Sequence, residues 1–123
     1  LAAAARQRAR RAVVKLLELG APLDARAADG RTALVHAVLA RDDAVVALLL
    51  AAGADPNARE SDTGNTPLML AANRGETAIV ELLLAGGADA RLVADDGWTA
   101  LEAARMVGED DIAVLLEAAG AER

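Results

Sequence analysis

The sequence contains no cysteine, so disulfides and thiolate metal sites are excluded, and the redox compartment cannot be read from it. It contains no phenylalanine or tyrosine either. Trp98 is the one aromatic residue, although 54% of the chain is hydrophobic. A core of alanine, leucine and valine lets backbones approach closely, which suits short helices stacked tightly. Lysine occurs once, at Lys15, while alanine and arginine abound, a composition that points to a GC-rich and bacterial coding genome. No apolar run approaches the ~18 residues that read as a membrane span. The first residue is Leu1, so a fragment or a processed product is expected; the cytoplasm is favoured, with secretion or the periplasm left open. At 123 residues the chain suffices for a single domain.

The net charge of −6 is unevenly spread. Residues 1–31 carry +4, residues 32–92 carry −4 and residues 93–123 carry −6. An acidic chain is repelled by nucleic acid. The exception is the basic start, where Arg6, Arg8, Arg10, Arg11 and Lys15 could hold an anionic surface. The plainer reading is a solvated terminal face.

Catalysis has little to stand on. His36 is the only histidine and Ser61 the only serine, with no third member to complete a nucleophilic constellation. His36 reads as a surface or half-buried helix residue, or as a pH-sensitive contact. Glu109-Asp110-Asp111 lacks the spacing of a calcium loop and reads as the acidic first turn of a helix. Gly86-Gly87 is not followed by the lysine of a phosphate loop. We therefore expect no enzyme, no cofactor and no metal.

What the sequence does contain is repetition. Thr66 to Ala90 reads as helix, break, helix and glycine stop. Thr66 is a candidate N-cap, Pro67 suits the first helical position, and Leu68, Ala71 and Ala72 recur at helical spacing. Ile79, Val80, Leu82, Leu83 and Leu84 crowd the second helix, and Gly87 ends it. Neither helix is long enough to be stable alone. The opening recurs as Thr32-Ala33-Leu34 and Thr99-Ala100-Leu101, at separations of 34 and 33 residues. The closing glycines, Gly20, Gly53, Gly87 and Gly120, are spaced 33, 34 and 33 apart. Between closings and openings stand turn formers: Asp29-Gly30, Asp62-Thr63-Gly64 and Asp96-Gly97.

This period, with T-[AP]-L opening one helix and G-A closing the next, resembles the ankyrin repeat family, over essentially the whole chain. Gly53-Ala54-Asp55 and Gly87-Ala88-Asp89 carry its G-A-D, and Asn57-Ala58 its N-A. The resemblance implies an all-α solenoid of stacked helix-turn-helix units with short β-hairpin loops, the hairpins projecting at the base of each helix pair. The units fall at about 1–25, incomplete, then 26–58, 59–92 and 93–123.

The units differ from one another. In the first, Arg8 stands where a glycine would separate the helices. Residues 2–19 hold no breaker and permit one continuous helix, but we expect a break, because register then buries Val13, Leu16 and Leu17. In the second, the turn Ala40-Arg41-Asp42-Asp43 also lacks glycine, and Asp42 is a candidate cap. The third carries one extra hairpin residue, Thr63. In the last, Glu117 replaces Leu50 and Leu84 of the earlier units, as an outermost face meeting water requires. The family's histidine after T-P-L is absent: Val35, Met69 and Glu102 stand there, so stacking is expected to lean on apolar burial at ~25 cal/mol per Å².

The resemblance implies binding through hairpin tips and first-helix faces on a concave side. Residues at i, i+3 and i+4 share a helix face. That stripe reads Ala3, Arg6 and Gln7, then His36, Leu39 and Ala40, then Leu70, Asn73 and Arg74, then Ala103, Met106 and Val107. Arg31, Asn65 and Trp98 stand at the tips. Tryptophan is enriched in binding hot spots and methionine adapts to varied surfaces. We therefore expect a patch of Trp98, Met106, Val107 and Leu70 flanked by Asn73 and Arg74, unless Trp98 merely packs over the neighbouring hairpin. The function expected is protein–protein recognition by a monomer without a small-molecule substrate. Alternatives are a stoichiometric inhibitor or immunity protein for one enzyme, or anionic-surface attachment through the basic start.

Overall fold

The structure, a computed structural model, describes residues 2–20, 24, 30–60 and 63–120, with the side chains of 2–6, 8, 9 and 16 outside that description. Its helices are α1 (Ala2–Glu18), α2 (Ala33–Leu39), α3 (Asp43–Ala51), α4 (Pro67–Asn73), α5 (Thr77–Ala85), α6 (Ala100–Met106) and α7 (Asp110–Ala118). Two rows form. In one, α2 packs on α4 and α4 on α6; in the other, α1 packs on α3, α3 on α5 and α5 on α7. Each of α2–α3, α4–α5 and α6–α7 is a helix pair joining the rows. This is the all-α solenoid that the resemblance implies.

The repeated threonines explain why the short helices start where they do. Thr32, Thr66 and Thr99 are buried, and each hydroxyl accepts a hydrogen bond from the N–H three residues on, at 3.4, 3.3 and 3.2 Å. Such a cap is worth ~1 kcal/mol. The leucines that follow, Leu34, Leu68 and Leu101, are 1% exposed. They meet Val46, Val80, Leu49, Leu83, Ile112 and Leu116 from the facing row in one continuous core. Burying a leucine or valine side chain contributes ~1.5–3 kcal/mol, so a helix too short to persist alone is held by its neighbours.

The first unit departs from expectation. No break interrupts it: α1 runs unbroken for 17 residues. The other pairs are separated by a residue with positive φ, Gly75 at 70° and Gly108 at 77°. In the second unit Arg41 takes that conformation, at φ 59°, despite its Cβ. The adjoining Asp42 compensates, because its carboxylate accepts the Val45 N–H at 3.3 Å and so caps α3. The equivalent positions in the first unit are Arg8 and Ala9, which supply neither glycine nor cap, so the helix continues. Only the second half of the expected pair has a counterpart, since α1 packs on α3. Val13 and Leu17 are half-buried, Val14 is exposed, and the Leu16 side chain lies outside the described residues.

Neighbouring units are also tied by polar links. The Asp55 N–H donates to Asp24 Oδ1 at 2.9 Å, and the Asp89 N–H to Asn57 Oδ1 at 2.8 Å. Arg10 pairs with the buried Asp42 at 3.3 Å, and Arg41 with Glu76 at 3.0 Å. In the loops Arg31 Nε meets Glu60 Oε2 at 2.6 Å, and Arg59 donates to the Val93 carbonyl. The Asp95 N–H donates to the Thr63 carbonyl at 3.1 Å, so the inserted residue ties two loops together. Among the described residues the only β pairing outside strands is one antiparallel bridge, Val93 with Thr99.

Candidate binding site

The loop carrying Trp98 is built by local bonds. The Ala94 N–H donates to the Trp98 carbonyl at 2.8 Å and the Gly97 N–H to the Ala94 carbonyl at 2.9 Å. Asp96 Oδ1 accepts the Trp98 N–H at 3.1 Å. This closes a tight turn that stands Trp98 beside α4 and α6, with the residue 37% exposed. Between them opens a cavity of about 240 Å³. Met69, Leu70, Trp98, Ala103 and Met106 form its apolar lining. Asn65, Asn73, Asp96 and Thr99 supply the polar groups.

Five of the ten residues expected to meet a partner therefore converge: Asn65, Leu70, Asn73, Trp98 and Met106. Met106 is 70% exposed, and Val107, 43% exposed, continues the same helix end outside the lining. Arg74 is exposed as the residue that terminates α4, also outside the lining. Arg31, His36 and Leu39 lie elsewhere. The Arg31 guanidinium is engaged by Glu60, itself only 5% exposed, which makes it a tie between loops. His36 is exposed and Leu39 half-buried, both on α2. Ser61 lies outside the described residues, as do the side chains of Arg6 and Arg8. Of the remaining basic start, Arg10 is held by Asp42, while Arg11 and Lys15 are exposed.

Sequence reasoning misses Met69 and Asp96 and reads Thr99 only as a helix cap. Met69 stands where the family has its histidine; it is 5% exposed and forms part of the cavity lining. Asp96 read only as a turn former, yet it is the one charged residue of the lining. Its place one residue before Gly97, at the tip that presents Trp98, was the available signal.

A second, polar concavity lies among Asn57, Asp89, Arg91 and Gly120. There the Arg91 N–H donates to Asp89 Oδ1 at 2.9 Å, and the Arg91 Nε lies 3.3 Å from the same oxygen. The backbone N–H first, and the guanidinium second, hold the Asp89 carboxyl below the ordinary range.

A family model described as ankyrin repeats, in three copies, matches residues 43–122. The chain belongs to the ankyrin-repeat family. Among curated proteins, none matches it. The matched stretch runs from α3 through α7 and contains the helix pairs α4–α5 and α6–α7 whole. Ankyrin repeats are generally protein–protein interaction modules and typically non-catalytic. Among the described residues no helix is long and apolar enough to cross a membrane. The ankyrin units here place Val35 and Met69, both buried, and the half-buried Glu102 after the T-x-L leucine. Glu102 Oε1 accepts the Thr99 hydroxyl at 3.2 Å, so that position serves its own unit.

Proposed function

We propose that this protein is a non-catalytic binding module that recognises a protein partner through the loop tips and first helices of its last two units. The observation that carries this is the convergence of Trp98, Met106, Leu70, Asn65 and Asn73 on one open groove. Trp98 and Met106 leave a large apolar area in water, and neither is needed to close the core formed by the leucines and isoleucines behind them. The groove is framed by α4 and α6 and by a Trp98 loop fixed by its own hydrogen bonds, so little entropy is lost on docking.

Capture of the partner on the immobilised protein, followed by titration of three forms, tests the reading. Trp98→Ala and Met106→Glu should each weaken binding at least about tenfold, the scale of a hot-spot residue, with unfolding midpoints close to wild type for Met106→Glu. Unchanged affinity in both variants, with a lowered midpoint in Trp98→Ala, would show that Trp98 only packs over its neighbouring loop. Assaying the captured partner with and without the module separates an inhibitor from an adaptor.

A further inference from the structure

We infer that the groove at Trp98 takes one arginine side chain of the partner, with its guanidinium on the Asp96 carboxylate. This deepens the proposed function and rests on that reading of the groove. At about 240 Å³ the cavity is smaller than the ~300–1,000 Å³ of pockets that enclose small molecules, and it suits a single side chain. Its walls are apolar at Leu70, Trp98 and Met106, and its single charge is Asp96. A wholly apolar guest would cover the exposed Asp96 carboxylate in part without offering it a donor, which is unfavourable. The complementary guest has an apolar stem and a cationic head.

Arginine fits better than lysine. The guanidinium is planar, stacks on an indole face and donates in several directions at once. The amide oxygens of Asn65 and Asn73 border the same cavity and can accept from it. One Asp96 oxygen is engaged by the Trp98 N–H, and among the described residues no cation pairs with the carboxylate. The net −6 of residues 93–123 favours the approach of a basic segment. Arg74 and Arg105, the exposed cations that adjoin the lining residues Asn73 and Met106 in sequence, are both outside the lining. Arg105 is turned to Glu117 at 3.5 Å.

Because Trp98 is the only tryptophan, its fluorescence reports this groove directly. The full chain is titrated with three blocked tripeptides, Gly-X-Gly, in which X is arginine, its uncharged isostere citrulline, or leucine. The arginine peptide should shift the emission, more so at low salt, and bind roughly tenfold more tightly than the citrulline peptide. Asp96→Asn keeps the oxygen that accepts the Trp98 N–H, so the turn survives, and it should abolish the difference between the two peptides. The inference is overturned if leucine binds as well as arginine, if the arginine preference persists in Asp96→Asn, or if no peptide shifts the emission at about 10 mM. With the captured partner in hand, loss of binding in Trp98→Ala alongside full binding in Asp96→Asn rejects the arginine and keeps the surface. Full binding in Asp96→Asn, Trp98→Ala and Met106→Glu rejects both.

Discussion

The first and third units occupy the same register of the repeat and reach different structures. In the third, Thr66 caps α4, Gly75 turns the chain, and α5 closes over a core in which Ile79, Val80 and Leu83 are at most 1% exposed. In the first, one helix runs through the position of the turn, and Val13 and Leu17 remain half-buried. Both stretches are rich in residues that favour helix. The difference lies in a few residues at the ends of the elements: a capping hydroxyl, a residue free to take positive φ, and a cap for the following helix. Where those are missing a good helix former continues, and none of the described side chains of α1 is fully buried. The second unit lies between the two cases, since Arg41 turns without glycine and Asp42 makes this possible.

That comparison can be broken at its core first. Leu83→Ala should cost ~3 kcal/mol in urea unfolding, since the side chain is fully buried and a cavity would remain. Leu17→Ala in α1 should cost under ~1 kcal/mol, in keeping with its partial exposure. Equal losses would mean that α1 is as much a part of the cooperative core as α5. Next come the loops that lock the third unit to the fourth. A Cβ at Gly64 would stand 2.3 Å from Asp95 Oδ1 and 3.0 Å from its backbone nitrogen, whereas one at Gly53 would meet nothing. Both glycines have positive φ. Gly53→Ala should therefore cost ~1 kcal/mol from backbone strain alone, and Gly64→Ala about twice that.

The turn itself comes third. Asp42→Ala removes the α3 cap and the partner of Arg10, at a cost of ~1 kcal/mol or somewhat more. The converse double variant, Arg8→Gly with Ala9→Asp, gives α1 the elements it lacks. Backbone chemical shifts should then show helix ending before residue 8 and restarting after residue 9. A helix that stays continuous would show that turn residues are insufficient without a preceding unit to pack on. The smallest effect belongs to Asp89. Its carboxyl is held below the ordinary range by the Arg91 N–H and guanidinium, so its contribution is complete above the unfolded-state pKa. It fades as pH falls through the lower folded value. Asp89→Asn should flatten that acid-side slope in a pH series of unfolding midpoints and change little at neutral pH.

Much of the fold was legible in the sequence because its signals are local. Thr32, Thr66 and Thr99 cap within three residues of themselves, and the leucines after them face the core at helical spacing. The candidate site was legible in part. Asn65, Leu70, Asn73, Trp98 and Met106 could be placed on loop tips and helix faces by register, and the structure brings them to one cavity. Arg31 could not be judged the same way, because its partner Glu60 lies 29 residues away and a tip arginine looks free in sequence. The polar ties between units were hidden for the same reason. Without the family's histidines stacking is expected to lean on apolar burial, and Arg31 with Glu60, Asn57 with Asp89 and Arg59 with Val93 add polar links to it.

The sequence by itself determined the period, the helix starts and the buried faces, since each depends on residues within a turn or two of one another. The tertiary structure decided which side chains of different units meet. It set Met69 and Trp98 around one cavity, left the Asp96 carboxylate as the one charge of the groove, and turned Arg31 from a tip into a tie. Those outcomes depend on how one unit is set against the next, and about one repeat of chain separates the groups involved. No local preference of either residue specifies the angle at which they face.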